Sequence, residues 1–243
     1  MIILSAGMPR AGSGWHYNLT HDLMTVKGAV DARQIRDRYR LGSILTEVNC
    51  NIGVLSLRRL SMVMIPSLLG NDFVIKVHSG LTPFARLLVR VGQLRPTYIY
   101  RDPRDALLSA YEYGQRAVEK GRPNAFSHLD TIEKAIGFFR EYVEDWNGWM
   151  ACGRCHRVSY EALKSDFTRE APRLAQHLGL DPEATSVQLV YEKYRPGQAK
   201  SGDRGLHFHK GVSGRFREVL SSEQQQTCLD LYGTTLLEMG YRP

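Results

Sequence analysis

The chain has 243 residues, of which 43% are hydrophobic, and its formal net charge is +7. This length fits one large α/β domain over residues 1–243, with enough apolar material for a core. The longest apolar runs fall far short of the ~20 residues of a membrane-spanning helix, and the opening MIILSAGMPR lacks the basic segment of a secretory signal. We therefore expect a cytoplasmic protein without a membrane span, whose four cysteines are thiols. The basic charge indicates either a solvated surface or a cleft that attracts a polyanion.

Four short strand-like segments recur along the chain, and helical patterns separate them. The segments are IILSA (2–6), FVIKV (73–77), TYIYR (97–101) and HRVSY (156–160). Such alternation is typical of strands that pair side by side and are covered by helices on both faces. The predicted fold class is therefore α/β, a single domain with a mostly parallel central sheet flanked by helices.

The first helix is predicted over residues 14–26, directly after a glycine-rich turn. Another helix starts after the third strand, where Asp102 occupies a natural N-cap position and Pro103 the first helical position. The Asp-Pro pair at 181–182 repeats this start signal.

Two segments, 114–130 and 195–215, are predicted to be irregular because they are rich in Gly, Pro, Ser and charge. The second lies between helices near the C-terminus and is predicted to be a mobile flap that binds an anion. Ser221 and Gln224 then form a capping box for the final helix.

The first strand leads into SAGMPRAGSGWH (5–16), which looks like a phosphate-binding loop without its lysine. Gly7 and Gly12 keep the glycine spacing of G-x-x-x-x-G-K-[ST], but Ser13 stands at the lysine position. Arg10 is the cation within the loop. A glycine-rich turn that opens a helix offers backbone N–H groups and the positive helix end to an anion, and needs no lysine. The loop therefore predicts a phosphate compound as ligand.

Two reactions fit such a loop. A metal-dependent P-loop kinase would need lysine near the transferred phosphoryl group and carboxylate ligands for Mg²⁺. Asp102 is the candidate carboxylate, although its pairing with Pro103 favours a helix cap. A sulfuryl group carries less charge on its oxygens, so fixed arginine, lysine and amide donors could stabilise its transfer without a metal. Sulfuryl transfer is the leading hypothesis and the kinase is the alternative.

Five segments together resemble the sulfotransferases that use 3′-phosphoadenosine 5′-phosphosulfate (PAPS). PRAGSGW (9–15) resembles their 5′-phosphosulfate loop, and YIYRDPRDALLSAYEY (98–113) their 3′-phosphate motif. VSYEALKSDF (158–167) is similar to the family's YExL strand, FHKGVSGRFREVLSSEQ (208–224) to its RKGxxGxW flap, and KVH (76–78) to its KxH. The five segments occur in the family's order and cover most of the chain.

The resemblance implies that the chain binds PAPS through both its 5′-phosphosulfate and its 3′-phosphate. At the 5′ end, Arg10 would contact the phosphosulfate, and Trp15 would stack on adenine. Tyr160 would also touch adenine. The other implied donor-binding residues are Ala11, Gly12, Ser13 and Gly14 as amide cradle, and Arg101, Ser109, His209, Lys210 and Gly211 around the 3′-phosphate.

Two departures from the family pattern concern the same ligand. Gly14 replaces the usual hydroxyl residue, which removes one side-chain donor. His209 stands where relatives usually have arginine, so whether it contacts the 3′-phosphate directly is left open. Arg104 is also left open, either as a surface residue or as a further phosphate contact.

The resemblance further implies that His78 is a general base which takes the proton of an acceptor hydroxyl. Lys76 lies two residues earlier and so faces the same side of a strand, where it would steady the sulfuryl oxygens. Together with Arg10, these are the implied catalytic residues. The expected reaction is a direct in-line transfer that releases adenosine 3′,5′-bisphosphate (PAP) and needs no metal. The acceptor is expected to be a small molecule, a lipid or a glycan with a hydroxyl.

Two further interpretations are weaker. A nucleic-acid binder would gather its cations on one helix with interleaved aromatics, whereas here they lie in turns and at strand ends, so no nucleic-acid partner is predicted. CGRCH (152–156) matches the c-type haem attachment signature. Because no export signal is recognised, this segment is predicted to be a turn before a strand.

Overall fold

The structure, a computed structural model, describes residues 1–198 and 211–242. In this part of the chain, four parallel strands form one sheet in the order β2-β1-β3-β4. The strands are β1 (Ile2–Gly7), β2 (Phe73–Val77), β3 (Leu94–Tyr100) and β4 (His156–Ser159). Every residue of the two strands β1 and β2 is buried, as expected for parallel strands that are covered on both faces.

Helices cover both faces of this sheet. Those before β4 are α1 (Ser13–Val26), α2 (Ala32–Arg38), α3 (Leu57–Leu68), α4 (Pro83–Arg90), α5 (Pro103–Glu119) and α6 (Ile132–Met150). Those after β4 are α7 (Tyr160–Ser165), α8 (Phe167–Leu178), α9 (Thr185–Tyr194), α10 (Phe216–Val219) and α11 (Ser222–Glu238). None of the described helices is both long and apolar enough to cross a membrane.

The core consists of two apolar layers, one on each face of the sheet. Ile2 and Leu4 belong to one layer, which includes α3 to α6, whereas Ile3 belongs to the other with α1, α8 and α9. Alternation along a strand sends successive side chains to opposite faces, so β1 supplies both layers. The predicted α/β fold with a parallel sheet between helices is confirmed.

The predicted helix starts agree with the structure at two positions. The Asp102 carboxylate accepts a hydrogen bond from the backbone N–H of Arg104 at 3.0 Å, so Asp102 is the N-cap of α5. Ser221 and Gln224 form the predicted capping box of α11.

The prediction at 181–182 is wrong, because α9 begins only at Thr185. The Asp181 side chain instead accepts a hydrogen bond from the backbone N–H of Glu183 at 3.0 Å, which stabilises a turn before the helix. The predicted strand 156–160 is one residue too long. Ser159 caps α7 through a 3.1 Å hydrogen bond from Ala162 N–H, and Tyr160 is the first residue of that helix.

The segment 114–130 is only partly irregular, because α5 continues through Gly114 to Glu119. A Cβ atom on Gly114 would lie 2.2 Å from the carbonyl oxygen of Phe126. This glycine therefore allows the following loop to approach the helix and does not end the helix. Of the predicted flap 195–215, residues 199–210 lie outside the described residues, and these include His209 and Lys210.

Candidate active site

A cavity of about 310 Å³ opens at the carboxyl edge of β2, β1 and β3. Three segments that follow these strands meet there, since parallel strands end at the same edge of a sheet. Most of the predicted site residues line this cavity: Arg10, Gly12, Ser13, Gly14, Trp15, Lys76, His78, Arg101, Ser109, Tyr160 and Gly211. Ala11 does not line it; its side chain is buried, and its N–H donates to the carbonyl of Met8 at 3.3 Å.

The loop between β1 and α1 has two residues with left-handed backbone. Arg10 has φ 61° and Gly12 has φ 77°. For a non-glycine residue such a conformation is uncommon and strained, and it is often found at functional sites. A Cβ on Gly12 would lie 2.7 Å from Cδ2 of Tyr160, so glycine is also required for close packing. No side chain among the described residues caps α1, so its first N–H groups, at the cavity edge, are available to an anion.

The Arg10 guanidinium lies inside the cavity between polar and aromatic groups. Its Nε donates to the Ser109 hydroxyl at 3.3 Å, and its Cζ lies 4.4 Å from the ring centre of Tyr113. Burial lowers the pKa of Arg10 to about 10; Tyr113 opposes this change, whereas Arg116 and Arg101 add to it. The cavity therefore concentrates positive charge.

Lys76 and His78 lie on the β2 side of the cavity. Burial, with a contribution from Arg10, lowers the pKa of Lys76 to about 8. The His78 Nδ1 lies 2.6 Å from the carbonyl oxygen of Gly7. Because a carbonyl only accepts, Nδ1 carries the proton and Nε2 keeps a free lone pair. Burial and then Lys76 lower the pKa of His78 to about 3, so the ring is neutral near pH 7.

Arg101 lies on the β3 side of the cavity and is 7% exposed. Its Cζ lies 4.7 Å from the ring centre of Tyr160, and its Nη2 donates to the carbonyl of Val212 at 2.7 Å. The Gly211 carbonyl accepts from Tyr160 Oη at 3.3 Å and from Lys164 Nζ at 2.6 Å. The Arg101 Nε is buried and has no hydrogen-bond partner among the described residues.

Carboxylates of α5 hold the segment 211–216 against this side. The buried Asp105 accepts hydrogen bonds from the backbone N–H groups of Gly214 at 2.5 Å and Phe216 at 3.2 Å. Glu112 pairs with Arg215 through both guanidinium Nη atoms, at 2.6 and 3.2 Å. Sequence reasoning missed both carboxylates. Asp105 follows Arg101 by four residues and Glu112 follows Ser109 by three, and this spacing is the signal that could have identified them.

Comparison with known proteins agrees with this arrangement. The family model for the sulfotransferase domain matches residues 3–240. The chain belongs to this family. Sulfotransferase 2B1 of the rat, Rattus norvegicus, is 25% identical over 156 residues, which are 56% of this chain and 45% of the rat protein. The chain thus matches less than half the length of that curated relative.

Two solved structures support the sulfotransferase fold. A mouse sulfotransferase complexed with PAP has a TM-score of 0.63 at 15% identity, over 97% of this chain and 84% of that chain. A retinol dehydratase in complex with androsterone and inactive cofactor PAP has a TM-score of 0.62 at 16% identity, over 100% of this chain and 82% of that chain. At these identities the likeness shows the fold alone.

Two residues of this sulfotransferase chain have structural partners that sequence reasoning left open or did not anticipate. Trp15 stacks on Phe167, with ring centres 5.9 Å apart and an angle of 15°, and its Nε1 donates to the Tyr194 carbonyl. One face of its indole ring is thus already covered. Arg104 is 2% exposed, pairs with Asp102 at 2.9 Å and does not line the cavity. It is therefore not a surface residue.

The CGRCH segment forms the predicted turn. Cys155 N–H donates to the carbonyl of Cys152 at 3.2 Å, and both free thiols are buried. Burial raises the pKa of Cys155, which keeps this thiol protonated. Among the described residues, no group of three His, Cys, Asp or Glu side chains could hold a metal ion.

Proposed function

We propose that this protein transfers a sulfuryl group from PAPS to a hydroxyl of a small-molecule acceptor, with His78 as general base. One observation carries the proposal. The cations Arg10, Lys76 and Arg101 meet the uncapped N-terminus of α1 in a single cavity. A donor with phosphate at its 3′ position and phosphosulfate at its 5′ position presents anions to both sides of such a cavity.

The chemistry of the cavity fits this donor. Burial, and to a smaller extent neighbouring cations, lower the pKa values of Arg10 and Lys76, so a bound anion would stabilise the charged forms of both side chains. The buried Arg101 Nε, which lies 4.0 Å from the Glu161 carboxylate and has no hydrogen-bond partner among the described residues, is a donor available to a phosphate oxygen. The 5′-phosphosulfate would bind at Arg10 and the α1 N-terminus, and the 3′-phosphate at Arg101 and Ser109.

In the proposed reaction, the acceptor oxygen forms a bond to sulfur while its proton passes to Nε2 of His78. The bond between sulfur and the bridging oxygen of the 5′-phosphate breaks, and PAP leaves with that electron pair. Lys76 and Arg10 stabilise the negative charge that builds up on the sulfuryl and phosphate oxygens. The hydrogen bond from Nδ1 to Gly7 holds the tautomer that this step requires.

The acceptor side of the cavity combines aromatic and polar walls. Tyr113 and Phe126 contact each other edge to face at 6.1 Å, and Asn49 and Arg116 line the same region. Aromatic walls suit a flat or alicyclic molecule that carries a hydroxyl. The androsterone bound by the retinol dehydratase belongs to this class.

Two measurements test the proposal. Titration calorimetry with PAP should give saturable binding that competes with PAPS. A mass-spectrometric screen with labelled donor should then find sulfated products among sterols, phenols, lipid alcohols and saccharides. Transfer should persist in EDTA, because the proposed residues supply the charge stabilisation, whereas a P-loop kinase would lose activity. Absence of PAP binding would refute the proposal.

A further inference from the structure

The loop that follows His78 contains a glycine whose presence is explained by one contact. Gly80 lies between β2 and α4, two residues after His78. It is not among the residues with left-handed backbone, so its conformation does not require glycine. A Cβ atom on Gly80 would lie 2.0 Å from Oδ1 and 2.7 Å from Cγ of Asp145. The carboxylate of Asp145 thus occupies the space in which any other residue would place its side chain.

Asp145 belongs to α6, and it meets this loop in a partly buried setting. The backbone of Gly80 lies against its carboxylate, and the N–H of Gly80 favours the ionised form of Asp145. Its Oδ2 atom is buried without a hydrogen-bond partner among the described residues. Burial raises the pKa of Asp145 to about 6, and Glu141 and Glu144 add to this increase. Placing a carboxylate here therefore costs stability, which suggests that the contact with Gly80 has another benefit.

Within the described part of the chain, the ring of His78 is fixed by one hydrogen bond, the 2.6 Å contact from Nδ1 to Gly7. A ring held at one point can still tilt if the backbone behind it moves. The Asp145 contact restrains that backbone from α6. Displacement of a reacting group by about 1 Å can lower a rate by about a hundredfold.

We propose that Asp145 is a positioning residue, which holds Gly80 so that Nε2 of His78 remains directed to the acceptor hydroxyl. The inference rests on the proposed function of His78. Asp145 does not line the cavity and contacts neither donor nor acceptor space. The role of Asp145 is therefore to order the loop that follows His78, and other residues bind PAP.

Four variants test this role: Asp145→Ala, Asp145→Asn, Gly80→Ala and the double variant Gly80→Ala with Asp145→Ala. We expect Asp145→Ala to lower kcat for transfer to 4-nitrophenol by about tenfold or more, with PAP affinity unchanged. Asp145→Asn should restore most of the rate, because an amide oxygen still accepts from the Gly80 N–H. Gly80→Ala should also lower kcat. The double variant should lose less kcat than the two single losses combined, because without the Asp145 carboxylate the new Cβ atom at position 80 has no steric overlap.

The matched control is Glu144→Ala on the same helix, where the side chain is exposed and pairs with Arg140. It should leave kcat unchanged. A readout independent of turnover is the NMR exchange rate of the His78 Nδ1 proton with water, which should rise in Asp145→Ala and not in Glu144→Ala. Unchanged exchange in Asp145→Ala, or rates equal to wild type, would overturn the positioning role. Failure of the wild type to bind PAP would instead refute the proposed function, and the exchange measurement would still decide the role of Asp145.

Discussion

Arg101 donates a hydrogen bond from Nη2 to the backbone carbonyl of Val212, which lies 111 residues later in the chain, at 2.7 Å. This contact joins the end of β3 to the segment 211–216. The same guanidinium lies over Tyr160, and its Nε lies 4.0 Å from the Glu161 carboxylate, without a hydrogen-bond partner among the described residues. Arg101 therefore links the segment 211–216 to the β3 side of the cavity.

We expect Arg101→Ala to weaken PAP binding by about tenfold to a hundredfold, because a charged hydrogen bond contributes about 1.5–3 kcal/mol. Titration calorimetry measures the change. Arg140→Ala is the control, since Arg140 is exposed on α6 and pairs only with Glu144 in the described contacts. Equal PAP affinity in both variants would mean that Arg101 does not bind the 3′-phosphate.

We expect Asp105→Ala to loosen the segment 211–216, because the Asp105 carboxylate accepts the N–H groups of Gly214 and Phe216. Hydrogen exchange at these two amides should accelerate, and PAP affinity should fall about tenfold or more as buried donors lose their acceptor. Asp105→Asn keeps one acceptor oxygen and should give an intermediate result. Protected amides in Asp105→Ala would contradict this anchoring role.

The pH profile of kcat/KM should show the titration of one group of the free protein, Lys76, and no titration of His78 between pH 5 and 8. His78, with its pKa lowered to about 3 by burial and by Lys76, stays neutral and able to accept a proton throughout the range from pH 5 to 8. Lys76, with its pKa lowered to about 8, is charged below that pH and loses its charge above it. We therefore expect a flat acidic side and a decline above about pH 8.

Lys76→Arg should move this decline to higher pH, since a guanidinium stays protonated. His78→Asn should lose transfer activity at every pH while PAP still binds. An active His78→Asn variant would show that His78 is not the base. If kcat/KM of Lys76→Arg declined at the same pH as that of the wild type, the decline would belong to a group other than Lys76.

Gly12 and Gly28 both have left-handed backbone conformation, and they form a matched pair for a stability measurement. Both residues have positive φ. A Cβ atom on Gly12 would lie 2.7 Å from Tyr160, whereas a Cβ atom on Gly28 would have no atom within 4 Å. We expect Gly28→Ala to reduce the free energy of unfolding by about 1 kcal/mol. Gly12→Ala should reduce it by about 1–3 kcal/mol more, through overpacking. Denaturant titration measures both, and an equal loss would show that the Tyr160 contact relaxes freely.

The parts of the site that follow strands could be predicted from sequence, because strand ends carry a local pattern. The loop with Gly12, the end of β2 at Lys76 and the end of β3 at Arg101 lie at one edge of a parallel sheet, as such strands must. The helix cap at Asp102 has a local signal as well.

The supporting residues could not be predicted in the same way. Asp145 meets Gly80 across 65 residues of sequence, and Asp105 meets Gly214 across 109. Such contacts depend on how α5 and α6 pack, which no local pattern records. Gly114 is a further example. The sequence around it predicts an irregular segment, but in the structure it lies within α5 and allows the carbonyl group of Phe126 to pack closely against the helix.

The strand order β2-β1-β3 has a consequence for selectivity among nucleotides. Adjacent strands lie about 4.8 Å apart, so the ends of β2 and β3 are separated by about 10 Å across β1. The backbones of His78 and Arg101, which follow β2 and β3, start from this separation, which the sheet fixes. Under the proposed function, adenosine 5′-phosphosulfate has no second phosphate for Arg101, so the strand order is expected to favour a donor that carries anions at two separated positions.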